Sequence, residues 1–94
     1  MTEPLSIQLP IDGTLDLHTF LPNEVTDLVA EYLVACREHD VLQVRIIHGK
    51  GIGTLRRTVE SILIKLSYVE SFKTAEETAG GWGATIVTLR KKRL

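Results

Sequence analysis

Between Pro22 and His39 the apolar residues Val25, Leu28, Val29, Tyr32, Leu33 and Cys36 recur at steps of three and four, which predicts a helix with one apolar stripe. Pro22 suits the first turn, where no backbone N–H is needed, Glu24 complements the positive helix end, and Arg37 and His39 complement the negative one. A second stripe, Leu55, Val59, Ile62, Leu63 and Leu66, predicts a helix over 54–67. Elsewhere the period shortens to two. GTLDLH (13–18) alternates Leu15 and Leu17 with Asp16 and His18, as a strand with one buried face does. VLQVRII (41–47), VESFKTA (69–75) and ATIVTLR (84–90) predict three more strands, the last two joined by EETAGGWG (76–83), whose glycines permit a tight reversal. Residues 1–12 hold Pro4 and Pro10 without a sustained period and are expected to form an extended lead-in to a domain at 13–90, with 91–94 a basic tail.

The order strand, helix, strand, helix, strand, strand (βαβαββ) predicts an α/β (α+β) two-layer sandwich. Right-handed crossovers place both helices on one face of a four-stranded mixed sheet. Ligands of such sheets collect outside the carboxyl ends of the parallel strands. His18, His48 and the EETAGGWG reversal all fall at those ends, so the special segments are expected to converge on one edge.

Composition narrows the function classes. With 94 residues and 44% hydrophobic content the chain can bury one core. It has no run of 18 apolar residues, and MTEPLSIQLP lacks the features of a signal peptide, so a cytoplasmic protein without membrane attachment is expected. The single Cys36 excludes an internal disulfide and a cysteine-based metal cluster. The net charge of −1 hides a division: residues 1–40 carry eight acids and one base, a balance of −7, and residues 41–94 four acids and ten bases, +6. That segregation favours a polyanion met by the basic half.

The stretch HGKGIGTLRR (48–57) concentrates the candidate chemistry. It matches neither GxxxxGK[ST] nor GxGxxG, since Thr54 stands in place of a third glycine. It shares their physics: alternating glycines turn N–H groups toward an anion, a helix N-terminus follows, and Lys50, Arg56 and Arg57 add charge. The plainer alternative is a strand-to-helix turn needing glycine only for its dihedral angles. Asp16 and His18, two apart on a strand, face one side, with Arg45 on the equivalent face of the next strand. They suit general acid–base chemistry, or two ligands of a divalent metal such as Mg or Mn, or a solvated face with an Asp16–Arg45 ion pair. His48 is a candidate second proton carrier or a loop histidine satisfied by backbone groups. Trp82 could stack on a base or cover the hairpin, and His39 and Cys36 are expected to be a helix-dipole partner and a core residue.

LDLH (15–18), IIHGKGIGTLRR (46–57) and GGWGAT (80–85), in this order and with helices between them, resemble the Smr (small MutS-related) domain family over about residues 14–90. The resemblance implies a fold similar to the C-terminal domain of translation initiation factor three. It also implies an activity among nucleic-acid nicking endonucleases and ribosome-associated RNA cleavage or rescue factors. By position, the family's Asp-x-His element falls on Asp16 and His18, its glycine-rich binding loop on His48, Gly49, Lys50, Gly51 and Gly53, and its GGxGAT element on Gly80, Gly81, Gly83, Ala84 and Thr85. One position departs: where the family reads LDLHG, this chain has Thr19. The expectation is therefore a nucleic-acid-binding domain with weak endonuclease activity on DNA or RNA. Asp16, His18 and His48 would act as catalytic residues, and Arg45, Gly49, Lys50, Gly51, Gly53, Arg56, Arg57, Gly81 and Trp82 as nucleic-acid contacts. No resident cofactor is required if an RNA 2′-hydroxyl attacks, and a divalent metal near Asp16 would serve if water does. The alternatives are a nucleic-acid or ribosome-binding module without turnover, and a protein-interaction domain using the acids of the first helix.

Overall fold

The computed structural model describes residues 9–49, 53–75 and 83–92. Among them the elements are β1 (Thr14–Asp16), α1 (Pro22–Glu38), β2 (Gln43–Ile47), α2 (Thr54–Lys65), β3 (Val69–Thr74) and β4 (Ala84–Leu89). The sheet order is β1-β2-β4-β3. β1 pairs in parallel with β2, and β4 runs antiparallel to both β2 and β3. β1, β2 and β3 therefore point one way, and their carboxyl ends share an edge with the start of β4.

Alternation decides which face is covered. Leu15, Val44, Ile46, Val87 and Leu89 point to the helices and are buried with Val25, Leu28, Val29, Tyr32 and Leu33 of α1 and Val59, Ile62 and Leu63 of α2. The two helical stripes meet one face of the sheet in a single core, as the α+β sandwich requires. Each fully buried leucine or valine there contributes about 1.5–3 kcal/mol from water exclusion. Cys36 lies in this core as a free thiol, and burial pushes its pKa up.

Local signals act through identifiable atoms. The carboxylate of Glu24 accepts the Leu21 N–H at 2.8 Å, the reaching-back half of a capping box, and Pro22 follows at the first helical position. At the other end Val41 N–H donates to the Cys36 carbonyl and Asp40 N–H to that of Arg37, the bond pair of a Schellman ending, with Asp40 at φ 62°. The His39 ring lies 2.9 Å from the Ala35 carbonyl, so its Nδ1–H adds a second donor to an oxygen that already accepts the His39 backbone N–H at 3.1 Å.

Two features are not periodic. The hydroxyl of Tyr32 accepts the Gly13 N–H at 3.2 Å and lies 3.1 Å from the carbonyl oxygens of Pro10 and Thr14, pinning the start of β1 to α1. Burial, the largest cause, pushes its pKa to about 12, so the proton stays on. At the far end of β4, Arg37 donates to the Arg90 carbonyl and lies over the Tyr68 ring, Arg90 donates to the Ser67 carbonyl, and Lys92 pairs with Glu38 at 2.6 Å. The basic C-terminal run thus begins at the end of the sheet opposite His18 and His48, where part of it neutralises the acidic helix.

Candidate nucleic-acid interface and active site

β1 ends at Asp16 and not at His18, because the Asp16 carboxylate bends the chain. Its Oδ1 accepts the His18 backbone N–H at 3.0 Å and lies 2.7 Å from His18 Nδ1. Strand alternation was expected to bring the two residues together; a side-chain-stabilised turn does so instead. The Phe20 N–H closes that turn on the Leu17 carbonyl at 3.0 Å. A carboxylate can only accept, so Nδ1 carries the proton and Nε2 faces outward, without a partner among the described residues. The two side chains are 72% and 45% exposed for His18 and Asp16. The hydrogen bonds from His18, its backbone amide first, hold the Asp16 carboxyl below its ordinary value. Thr19 has an ordinary negative φ, since Asp40 is the single non-glycine residue with positive φ among those described. The turn therefore does not need a glycine at this position.

The second motif stands beside the first. Leu17 N–H donates to the Ile47 carbonyl at 2.9 Å, which places His18 against the chain leaving β2 at His48 and Gly49. The third motif arrives from β4: the Gly83 carbonyl accepts the N–H groups of both His48 and Gly49, at 2.8 and 2.9 Å. The described parts of all three segments singled out in the sequence, at Leu17–His18, His48–Gly49 and Gly83–Thr85, therefore meet at one edge. His48 itself turns inward and is 7% exposed. Its Nδ1 lies 3.1 Å from the Gly49 carbonyl and its Nε2 2.9 Å from Thr85 Oγ1. Desolvation, with the Arg56 charge adding to it, holds its pKa below 6.5 against the weaker pull of the Gly49 bond and Glu60.

Gly49 and Gly53 adopt φ of 84° and 87°, left-handed values that exclude most other residues. A side chain at Gly49 would meet nothing within 4 Å, so backbone conformation alone requires glycine there. Gly53 caps α2 without a side-chain acceptor, and no acid occupies the first turn. Among the described residues the first turn of α2 thus has neither a side-chain cap nor an acid, the condition under which helix amides can meet an anion. Arg57 folds back, its Nη2 at 4.0 Å from where a Gly53 Cβ would stand, and Arg56 Nε is 4.0 Å from Glu60 Oε2 without a hydrogen bond.

Arg45 lies opposite Thr14 and two pairs along from Asp16–Ile47, on the face that also carries Asp16, as expected. Lys50, Gly51, Gly80, Gly81 and Trp82 lie outside the described residues. No group of three or more histidine, cysteine or acidic residues clusters among the described residues. Asp16 and His18 are bonded to each other, so the donor set fits a protein-held divalent cation poorly; one carboxylate would hold such an ion only together with substrate phosphates.

Sequence reasoning missed Thr85 as the partner of His48. The signal was present: Thr85 shares the core-facing register of Val87 and Leu89, where a hydroxyl needs a partner.

The Smr domain family matches residues 15–90. Curated relatives include "Endonuclease MutS2" of Gemmatimonas aurantiaca, 37% identical over 75 residues, covering 80% of this chain and 9% of the relative. Another is "Endonuclease MutS2" of Halothermothrix orenii, 44% identical over 80 residues, covering 85% of this chain and 10% of the relative. The chain thus spans about a tenth of the length of these proteins. Among solved structures, the Smr domain of Thermus thermophilus MutS2 superposes with a TM-score of 0.77 at 35% identity, covering 82% of this chain and 96% of that one. YdaL, a stand-alone small MutS-related protein from Escherichia coli, gives 0.81 at 30% identity, covering 87% and 67%. With about four fifths of its length matched and the fold shared with two solved relatives, the chain belongs to the Smr domain family.

Proposed function

We propose that this domain grips a nucleic-acid backbone at the edge formed by β1, β2 and α2 and cleaves a phosphodiester there with Asp16 and His18. The reading is carried by one observation: an exposed imidazole, its Nδ1–H held by Asp16 at 2.7 Å, stands at the sheet edge where β2 ends in His48 and Gly49, and the next helix begins at Gly53 without a side-chain cap. The helix amides, with Arg56, Arg57 and the sequence neighbour Lys50, hold phosphate oxygens, and Arg45 adds charge on the Asp16 face. His18 Nε2 accepts a proton from the attacking hydroxyl and can return it to the leaving oxygen, while Asp16 stabilises the imidazolium between the two steps. The attacking group is the 2′-hydroxyl in RNA and water in DNA. No step is routed through a metal, given the donor set. The name shared by the MutS2 relatives, an endonuclease, agrees with this chemistry.

The test incubates labelled RNA and DNA with the wild-type protein, Asp16→Ala and His18→Ala, with and without chelator. Cleavage by the wild type alone is expected, with each variant about 100-fold slower or worse. Equal cleavage by all three proteins would mark a contaminating nuclease and end the proposal. A second reading, binding without turnover, draws on α2 alone, whose amides and arginines need neither Asp16 nor His18. Salt-sensitive binding with no cleavage of either substrate would select it.

A further inference from the structure

We infer that His48 is a positioning residue, a neutral imidazole that clamps Gly49, the residue that follows it after β2, to the start of β4 and so sets the shape of the phosphate-holding edge. The inference rests on the proposed nucleic-acid role of that edge. It assigns to His48 a task different from proton transfer.

Hydrogen-bond chemistry leaves one arrangement for the neutral ring. A carbonyl oxygen only accepts, so the contact at 3.1 Å between Nδ1 and the Gly49 carbonyl requires the proton on Nδ1. The neutral ring then has a lone pair on Nε2, and the Thr85 hydroxyl donates to it at 2.9 Å. Both nitrogens are occupied and the ring is buried, so neither faces a substrate; a proton carrier needs one nitrogen that does. The main chain repeats the connection, since the N–H groups of His48 and Gly49 both donate to the Gly83 carbonyl. Two backbone bonds and one ring bond thus join His48–Gly49 to Gly83–Thr85, and the second ring bond fixes the Gly49 carbonyl against the same imidazole. The Gly49 carbonyl that receives Nδ1–H belongs to a left-handed residue at φ 84° with open space around its Cα, so its conformation is held by these bonds and not by packing. Of the charged groups acting on the ring, Arg56 opposes a positive imidazole and Glu60 favours one, both from α2.

The substitution that isolates the clamp is at Thr85, which is 1% exposed: Thr85→Val keeps the shape and deletes the hydroxyl, and Thr85→Ser keeps the hydroxyl. His48→Gln and His48→Ala complete the set. Long-range nitrogen–proton NMR of the ring is expected to show Nδ1 protonated, with the Nε2 shift moving in Thr85→Val and restored in Thr85→Ser. A protonated Nε2 in the wild type would overturn the inference whether or not the domain cleaves anything. Against a labelled oligonucleotide, Thr85→Val and His48→Ala are each expected to weaken binding or raise KM about tenfold, with kcat within about threefold. The double variant should be no worse than either single one. Thr85→Ser and His48→Gln should recover most of the affinity, with an unchanged pH profile of kcat. Loss of turnover in His48→Gln as complete as in His18→Ala, with binding retained, would make His48 a proton carrier and overturn the inference. A wild-type protein that neither binds nor cleaves nucleic acid would instead remove the function proposed above, and the ring tautomer and its response to Thr85 would still decide the clamp.

Discussion

His18 and His48 follow adjacent parallel strands at the same end of the sheet, yet their rings meet opposite surroundings. His18 follows a three-residue edge strand and turns out to solvent against a carboxylate; His48 follows the interior strand β2 and turns in against a hydroxyl and a carbonyl. A carboxylate partner suits a ring that must hold a positive charge for part of a reaction. A hydroxyl and a carbonyl in a buried site suit a ring that stays neutral. Position in a motif therefore does not set a histidine's task; the partner atoms and the access of water do.

The largest contrast expected is in cleavage. His18→Ala should lower it about 100-fold or more while shifting unfolding stability by less than about 0.5 kcal/mol, because the side chain is exposed. His48→Ala should reverse the order, losing about 2 kcal/mol by leaving the Thr85 hydroxyl and the Gly49 carbonyl without their partner. Urea midpoints at constant m-value, measured beside single-turnover rates, would check both; stability losses of equal size would break the contrast.

Acid should test the buried ring of His48 next. The His48 pKa is depressed below 6.5 in the fold, so its contribution is complete above that pH. As pH falls the unfolded chain takes up the proton first, and stability declines through the lowered folded value. Asp16 is likewise depressed, below 3.8, so its smaller and solvent-screened contribution is lost only at still lower pH. Urea midpoints measured from about pH 8 to about pH 4 should fall in the wild type and flatten over the upper part of that range in His48→Gln. An unchanged slope in the variant would assign the decline to another group.

Two smaller effects sharpen the picture. Arg56→Ala should reduce the slope of log affinity against log salt by about one, the signature of one phosphate contact, and leave kcat within about twofold. Thr19→Gly should change cleavage by less than about twofold and cost a few tenths of a kcal/mol, since Thr19 already has an ordinary φ and glycine would only loosen the unfolded chain. Faster cleavage in Thr19→Gly would show that the departure from LDLHG restrains His18.

Much of this architecture is legible in the sequence. The stripes at Val25–Cys36 and Leu55–Leu66 and the short β-branched runs locate all six elements within about two residues at their ends, because the burial that stabilises them is periodic. The meeting of LDLH, HGKGIG and the start of ATIVTL follows from strand order alone. Side-chain direction at the ends of strands is not periodic, and there reading by spacing falters. Asp16 and His18 meet through a turn that ends β1 early, and the inward ring of His48 depends on Thr85, 37 residues away. Tyr32 looked like one more member of an apolar stripe, although its hydroxyl ties down the entry to β1.

That tie has a kinetic meaning. β1 is three residues long, has one paired neighbour among the described strands, and carries Asp16 and His18 at its carboxyl end. Short outer strands open before the rest of a domain does. Warming should therefore silence this protein below its melting temperature, by release of a single ribbon whose amides exchange with deuterium ahead of those in β2 and β4.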